Sequence, residues 1–263
     1  YDDAPFFWHF VRFRDALMPA RARGMAVNIE EFLGERVLIV LLAIVTAFAL
    51  AAALVPTLAL GDRWRALPAK GWVGTYFAAI GLGFMLFEVA VMQRLTLLLG
   101  YPTYALSVTL FALLLFAGIG SAVSSRSRAG IGAQAGRLLL ALTALVLTFQ
   151  VASPWVVEVL AGRSLTVRIV VAVGMVAPLG LCLGSFLPLG LRLVTLLSDD
   201  RERYAAWAFG VNGAFSVVAS VLSTMLAMTI GFRLLIVLAL FIYVLGVAAL
   251  RAAGRSLVAR QPS

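Results

Sequence analysis

The sequence GLGFMLFEVAVMQRLTLLLGYPT, residues 81–103, is an apolar run with a single carboxylate, Glu88, and it closes in a turn. A helix that crosses a bilayer needs about 20 predominantly apolar residues. The sequence has seven such segments, one of which contains most of this run. They are residues 37–60, 71–99, 103–125, 138–157, 169–191, 204–232 and 234–250. The chain is 63% hydrophobic and 13% charged, whereas soluble domains are about 45–50% apolar and about 25% charged. We therefore predict an all-α, polytopic bundle of about seven transmembrane helices.

Composition divides the chain into three parts. Residues 1–35 alternate large aromatic residues with arginines, a pattern typical of amphipathic segments that lie at the membrane interface. Residues 36–254 form the predicted bundle, and residues 255–263 a basic polar tail. Because the chain begins with Tyr1 rather than methionine, we expect it to be part of a longer protein.

Two connections and two prolines predict local geometry. GYPT at residues 100–103 and IGF at residues 230–232 are so short that each should join antiparallel neighbouring helices. The fifth segment contains Pro178 and Pro188, and proline inside a helix removes a hydrogen bond and kinks it. We expect this helix to be bent.

The net charge of +9 comes mainly from arginines at the ends of apolar runs. Those positions suit topology determinants and lipid phosphates rather than nucleic acid. The connections after the first, third and fifth segments and the C-terminal tail carry three basic residues each, which favours a cytoplasmic C-terminus. With seven spans, however, the arginines of residues 1–35 would lie on the opposite side, so the two charge signals conflict.

Glu88 lies near the middle of its segment, where a charged side chain costs roughly 2.5–3.5 kcal/mol to insert. We expect a neutral carboxyl that faces other helices, with Asn212, Gln150 and Arg168 as candidate partners. Two interpretations remain open: a proton or cation site, or a hydrogen bond that holds helices together.

Other polar and small residues have expected positions as well. Arg12, Arg14 and Arg94 are predicted to reach lipid headgroups. Small residues let helices approach closely in a membrane, and a stripe of them predicts a packing face at Ala206, Gly210, Gly213, Ser216, Ser220, Ser223 and Ala227. Asn212 lies beside this stripe, so its amide is expected to bond another helix.

The sequence contains no pattern typical of catalysis. No strand precedes the Gly-Ile-Gly patterns at residues 118–120 and 130–132, so neither is a nucleotide fingerprint. We find no paired carboxylates, no Ser/His/Asp set and no metal-ligand cluster. Cys182 has no cysteine partner, and His9 is a weak candidate to ligate a haem or a pigment. We therefore expect no enzyme activity and no cofactor in this chain.

Several long motifs resemble the membrane portion of the bacterial spermidine synthase-like membrane proteins: DDAPFF at residues 2–7, YFAAIGLGFMLFEVAVMQRLTLLLGYPTYALSVTLFALLLFAGIGS at 76–121, FLPLGLRL at 186–193 and WAFGVNGAFSVVASVLSTMLAM at 207–228. In that family a methyltransferase-fold domain precedes the membrane helices. The resemblance implies that this domain and its cofactor site are absent here. It also implies a multi-pass protein of the bacterial inner membrane.

Two functions are compatible with the sequence. One is a non-catalytic anchor or transporter-like domain that moves or senses a small cationic or amphipathic molecule, with Glu88 as the cation or proton site and Asn212 as a second polar contact. The other is a structural subunit that docks on further membrane chains through small-residue helix faces. Besides lipid, other membrane-protein chains are therefore the expected partners.

Overall fold

The computed structural model describes residues 33–60 and 67–258. Most of the predicted interfacial segment and residues 259–263 of the tail lie outside these residues. The described part is helical, without strands. Its helices are α1 Leu33–Leu60, α2 Lys70–Leu99, α3 Pro102–Ser125, α4 Ile131–Leu160, α5 Leu165–Gly184, α6 Phe186–Leu197 and α7 Arg201–Val258.

Six stretches of the described residues are long and apolar enough to cross a membrane. Four of them fall within α1 to α4, one comprises α5 and α6 together, and one is α7. The outer faces expose large apolar side chains, among them Phe48, Phe111, Leu140 and Phe241. Contiguous apolar surface of this extent is unfavourable in water but is what lipid chains contact. The protein is therefore membrane-embedded.

Helix α2 lies at the centre of the bundle and contacts α3, α4, α5, α6 and α7. It is apolar on all sides, and a larger share of it is buried than of the other five membrane-crossing stretches, as expected of a helix inside a bundle. Tyr76 donates a hydrogen bond of 2.5 Å from its hydroxyl to the carbonyl of Phe186. Phe186 in turn packs on Tyr243, with ring centroids 4.9 Å apart. Aromatic side chains thus tie α2, α6 and α7 together.

The predicted hairpin at GYPT is confirmed. Gly100 has φ 83°, and its N–H donates to the carbonyl of Thr96. A left-handed residue just beyond the last turn is the common way for a helix to end, and glycine adopts it without steric cost. Pro102 then starts α3 at a position where its missing N–H costs nothing.

The first half of α7 runs parallel to α2. A Cβ at Gly74 would touch the ring of Trp207, and the Asn212 side-chain amide donates to the carbonyl of Phe77 at 3.1 Å. Residue numbers thus increase together along both helices.

The second half of α7 runs in the opposite direction along α2. A Cβ at Gly83 would meet Tyr243, whereas Gly246, further along α7, lies against Ala79, which is earlier on α2. The chain therefore reverses between the two halves. The reversal falls at Gly231, whose φ of 78° and ψ of 167° are not helical and are adopted almost only by glycine.

The fifth segment, where a bend is expected, is interrupted at Ser185, between α5 and α6, whereas Pro178 is accommodated inside α5. Pro188 explains this position. It has no N–H for the carbonyl of Gly184, and its ring would collide with that carbonyl in a continuous helix. At the interruption itself, the Ser185 N–H donates to the carbonyl of Cys182, three residues earlier, at 3.1 Å.

The basic connections meet at one end of the bundle. The Tyr204 hydroxyl donates to the carbonyl of Pro68 at 2.6 Å, which joins the start of α7 to the residues before α2. Arg192 donates to the carbonyl of Ala129 at 3.1 Å, which joins α6 to the connection between α3 and α4. We call this the basic end, comprising residues 67–70, 126–130, 192–204 and 250–258.

Candidate intramembrane site

Glu88 is half-buried on α2. Its position is about 5 Å along the axis from the middle of the 30-residue helix. Its carboxyl makes no hydrogen bond or ion pair with any residue that the structure describes. The group therefore keeps its capacity to hold a proton, a cation or a donor from another molecule.

The predicted partners of Glu88 bind elsewhere. Asn212 bonds to α2 at Phe77, eleven residues and about 16 Å from Glu88. Gln150 donates to the carbonyl of Arg233 at 3.1 Å. Arg168 donates to the carbonyl of Leu98 at 3.2 Å. The predicted pairing is therefore wrong, because each side chain finds a backbone carbonyl on a neighbouring helix.

The position of Arg168 has a clear electrostatic reason. The last four carbonyls of a helix have no partner within the helix and carry partial negative charge. Leu98 is one of these carbonyls in α2. A guanidinium donated from α5 satisfies this carbonyl, so Arg168 stabilises the end of α2 opposite the basic end.

A cavity of about 340 Å³ lies between α2, α3, α5, α6 and α7. Its polar side chains are Ser121, Asn212, Ser216 and Tyr243. The rest of the wall is apolar side chains and glycine, formed by Ile80, Gly81, Phe84, Leu114, Ala117, Gly118, Leu183, Gly184 and Leu187. Leu114 is 62% exposed, so the cavity opens between helices onto the lipid-facing surface.

The polar groups in the cavity differ in their remaining capacity. Asn212 donates to Phe77, and Ser216 donates to the carbonyl of Asn212 at 2.9 Å. The hydroxyls of Ser121 and Tyr243 make no hydrogen bond with any described residue. A ligand in the cavity could therefore bond two hydroxyls. Neither hydroxyl was predicted from the sequence, although Tyr243 is the single polar side chain of the predicted segment 234–250 and is a usable signal.

Glu88 lies one helical turn beyond the cavity. Phe84, which lines the wall, is four residues earlier and therefore on the same face of α2. Cα–Cβ bonds tilt toward the helix N-terminus, so the Glu88 side chain leans toward Phe84 and the cavity. Glu88 itself is not among the lining residues.

Close helix packing occurs beside the predicted stripe and also between α3 and α5. A Cβ at Gly81 on α2 would overlap the carbonyl oxygen of Asn212 and would be 3.0 Å from Oγ of the stripe residue Ser216. A Cβ at Gly120 would overlap the carbonyl of Leu181, and one at Gly184 would overlap the carbonyl of Ala117. Helices α3 and α5 therefore meet backbone to backbone, the approach that small residues permit.

The predicted stripe on α7 divides into two parts. Its later members are partly or fully buried: Ser216, Ser220, Ser223 and Ala227. Its first three members are exposed: Ala206, Gly210 and Gly213. A Cβ at Gly210 or Gly213 would enter open space. Among the residues that the structure describes, then, nothing packs on the first part of the stripe.

Arg94 lies inside the protein, where it is 7% exposed. A headgroup contact requires the guanidinium at the lipid surface, so the structure does not support the position predicted for Arg94. The other predicted headgroup residues, Arg12 and Arg14, lie outside the described residues, as does His9. Among the described residues there is no group of three or more His, Cys, Asp or Glu that could hold a metal ion.

Comparison of the chain with protein-family models, with characterised proteins and with solved structures found no match. The class of the protein therefore rests on its own geometry. It is an all-helical membrane protein with an intramembrane cavity, and the resemblance to spermidine synthase-like membrane proteins stays a prediction.

Proposed function

We propose that this chain is a non-catalytic, transporter-like membrane domain that binds a small amphipathic amine between its helices. The observation that carries the proposal is the cavity, which combines an apolar wall with the hydroxyls of Ser121 and Tyr243. Its volume of about 340 Å³ is at the lower end of the roughly 300–1,000 Å³ typical of small-molecule sites.

The opening of the cavity favours an amphipathic ligand. Its rim includes the exposed Leu114, so a molecule with an apolar tail can enter from the lipid. Glu88, one turn beyond Phe84, supplies the negative charge or the proton that an amine needs. Ionisable groups inside membrane segments commonly mark such pathways.

The number and direction of spans are part of the proposal. Helix α7 has 58 residues, about 87 Å at 1.5 Å per residue, whereas the hydrocarbon core is about 30 Å thick. Since α7 reverses at Gly231, we propose that it crosses twice, which gives seven spans and puts the basic end in the cytoplasm. The bacterial inner membrane is proposed from the resemblance alone.

Filling the cavity tests the proposal. Gly118 lines the cavity, and a Cβ there would enter open space. Gly118→Leu should fold normally and lower the uptake of labelled hexylamine or spermidine into proteoliposomes at least about tenfold, because the new side chain occupies the ligand's volume. Gly174→Leu is the matched control, since Gly174 is another exposed glycine in open space but lies outside the cavity.

Equal uptake by the two variants would mean that the cavity is not the path. If neither amine enters above the rate of protein-free liposomes, the transporter-like function itself fails.

The alternative function is a structural subunit of a larger membrane complex. It is favoured by the exposed small residues Ala206, Gly210 and Gly213, since a face that none of the described residues covers can receive a helix of another chain. Under this alternative, the chain associates stoichiometrically with another membrane protein in native membranes, and the double variant Gly210→Leu with Gly213→Leu abolishes that association. Amine uptake is then absent in the unmodified chain as well as in every variant.

A further inference from the structure

A second cavity, of about 610 Å³, lies at the basic end. Four arginines line it, from three separate segments of the chain: Arg128 before α4, Arg192 on α6, and Arg251 and Arg255 on α7. No acidic residue is among its lining residues. The fold thus gathers four positive charges around one space.

Arg192 is held in place by a chain of hydrogen bonds. Its guanidinium donates to Oε1 of Gln134 at 2.8 Å and to the carbonyl of Ala129 at 3.1 Å. Gln134 donates in turn to Oγ of Ser124 at 2.9 Å, and Ser124 donates to the carbonyl of Ser185 at 2.9 Å. These bonds use two of the five guanidinium N–H groups, so Arg192 is fixed and can still donate into the cavity.

The N-terminus of α4 opens into the same cavity through Gly130, Ile131 and Gly132. No side chain caps this helix, and its first turn contains no acidic residue. Its first backbone N–H groups therefore have no partner within the helix and carry partial positive charge. At Gly130 and Gly132 a Cβ would meet nothing within 4 Å, so an anion can approach the backbone closely.

The remaining arginines have no counter-charge among the described residues. Arg128, Arg251 and Arg255 are exposed, and none of them forms an ion pair with a described carboxylate. Arg251 lies against α4, where its guanidinium would be 2.7 Å from a Cβ at Gly136. Four guanidinium groups and a helix N-terminus around one space repel one another unless an anion lies between them.

We propose that this cavity binds a phosphate group, carried by an anionic phospholipid or by a soluble phosphate compound. Guanidinium groups match phosphate oxygens with paired hydrogen bonds, and helix N-termini favour phosphate for the same electrostatic reason. The site is distinct from the amine cavity, since no residue lines both, and it does not depend on transport.

The test compares two pairs of neutralised arginines in the purified full chain. Arg251→Gln with Arg255→Gln removes two charges from the cavity, whereas Arg126→Gln with Arg137→Gln removes two exposed charges nearby that do not line it. Binding of phosphatidylglycerol and phosphatidylcholine is titrated by native mass spectrometry, and inorganic phosphate at millimolar concentration is added as competitor. Gly132→Leu blocks the helix N-terminus without a change in charge.

The expected result is tighter binding of phosphatidylglycerol than of phosphatidylcholine, weakened about thirtyfold in the cavity pair and less than about threefold in the control pair. Gly132→Leu should weaken it as well. Competition by inorganic phosphate identifies a soluble ligand, and its absence identifies the lipid. Equal weakening in both pairs overturns the proposal, as does a lack of preference for the anionic lipid together with no displacement of bound lipid by inorganic phosphate.

Discussion

At the scale of single residues, the contrast between Glu88 and the other buried polar groups is informative. Asn212, Gln150 and Arg168 each donate to a backbone carbonyl of a neighbouring helix, which is the usual arrangement in a membrane interior. Glu88 has no such bond among the described residues. A carboxyl near mid-membrane costs free energy, so its presence without a structural bond favours a role in binding.

Replacing Glu88 by glutamine should separate these roles. We expect the thermal unfolding midpoint of Glu88→Gln to stay unchanged, within about 0.5 kcal/mol of unfolding free energy, because no described hydrogen bond is lost. Amine uptake, and its dependence on pH, should disappear. Asn212→Ala is the comparison, since loss of its bond to Phe77 should cost about 1 kcal/mol. Unfolding of Glu88→Gln at a clearly lower temperature would show that the carboxyl is structural.

At the scale of helices, the closest approach is between α3 and α5. Gly120 and Gly184 each lie against a carbonyl of the opposite helix, with no room for a methyl group. Without a hydrophobic driving force between helices in lipid, such packing is a main source of stability. The amine cavity lies beside this contact, with Gly184 in its wall.

A methyl group tests this contact. Gly120→Ala should destabilise the protein by about 1–3 kcal/mol, since the new Cβ overlaps the carbonyl of Leu181 and forces the helices apart. Gly118→Ala, two residues away on the same helix, places its methyl in open space and should be neutral. Midpoints from thermal unfolding in detergent measure both. Equal midpoints for the two variants would mean that α3 and α5 do not pack this closely.

Across the complete bundle, connections that are far apart in sequence lie together at the basic end. Residues before α2, between α3 and α4, on α6 and at the end of α7 are joined there by hydrogen bonds or line one cavity. These are largely the connections whose arginines predicted the cytoplasmic side. The reversal of α7 is what brings its C-terminal part back to that end.

Single cysteines should reveal the same arrangement in membranes. Native Cys182 is 6% exposed, so it provides an unlabelled background. With an impermeant maleimide, Arg126→Cys, Asp199→Cys and Arg255→Cys should be labelled from the same side, and Ser164→Cys from the other. Labelling of Asp199→Cys and Arg255→Cys from opposite sides would show that α7 crosses only once.

The membrane class, the helices and most of their ends follow from the amino-acid sequence alone. A bilayer forces each backbone to satisfy its own hydrogen bonds within a helix of sufficient apolar length, and both requirements are local. Helix ends also have local signals, here Gly100 with Pro102 and the glycine at residue 231. For this reason, the GYPT hairpin and the place of the IGF turn could be predicted before any contact was known.

Which helix faces meet is visible only in the folded bundle. In lipid the exterior of a helix is as apolar as its interior contacts. Periodicity therefore does not distinguish Gly120, which lies against α5, from Gly210, where a Cβ would meet no described atom within 4 Å. Because the sequence does not show which faces meet, the partners predicted for Glu88 and the headgroup position predicted for Arg94 were wrong. For the same reason, the four-arginine cavity was seen only as scattered charges, since three separate segments form it.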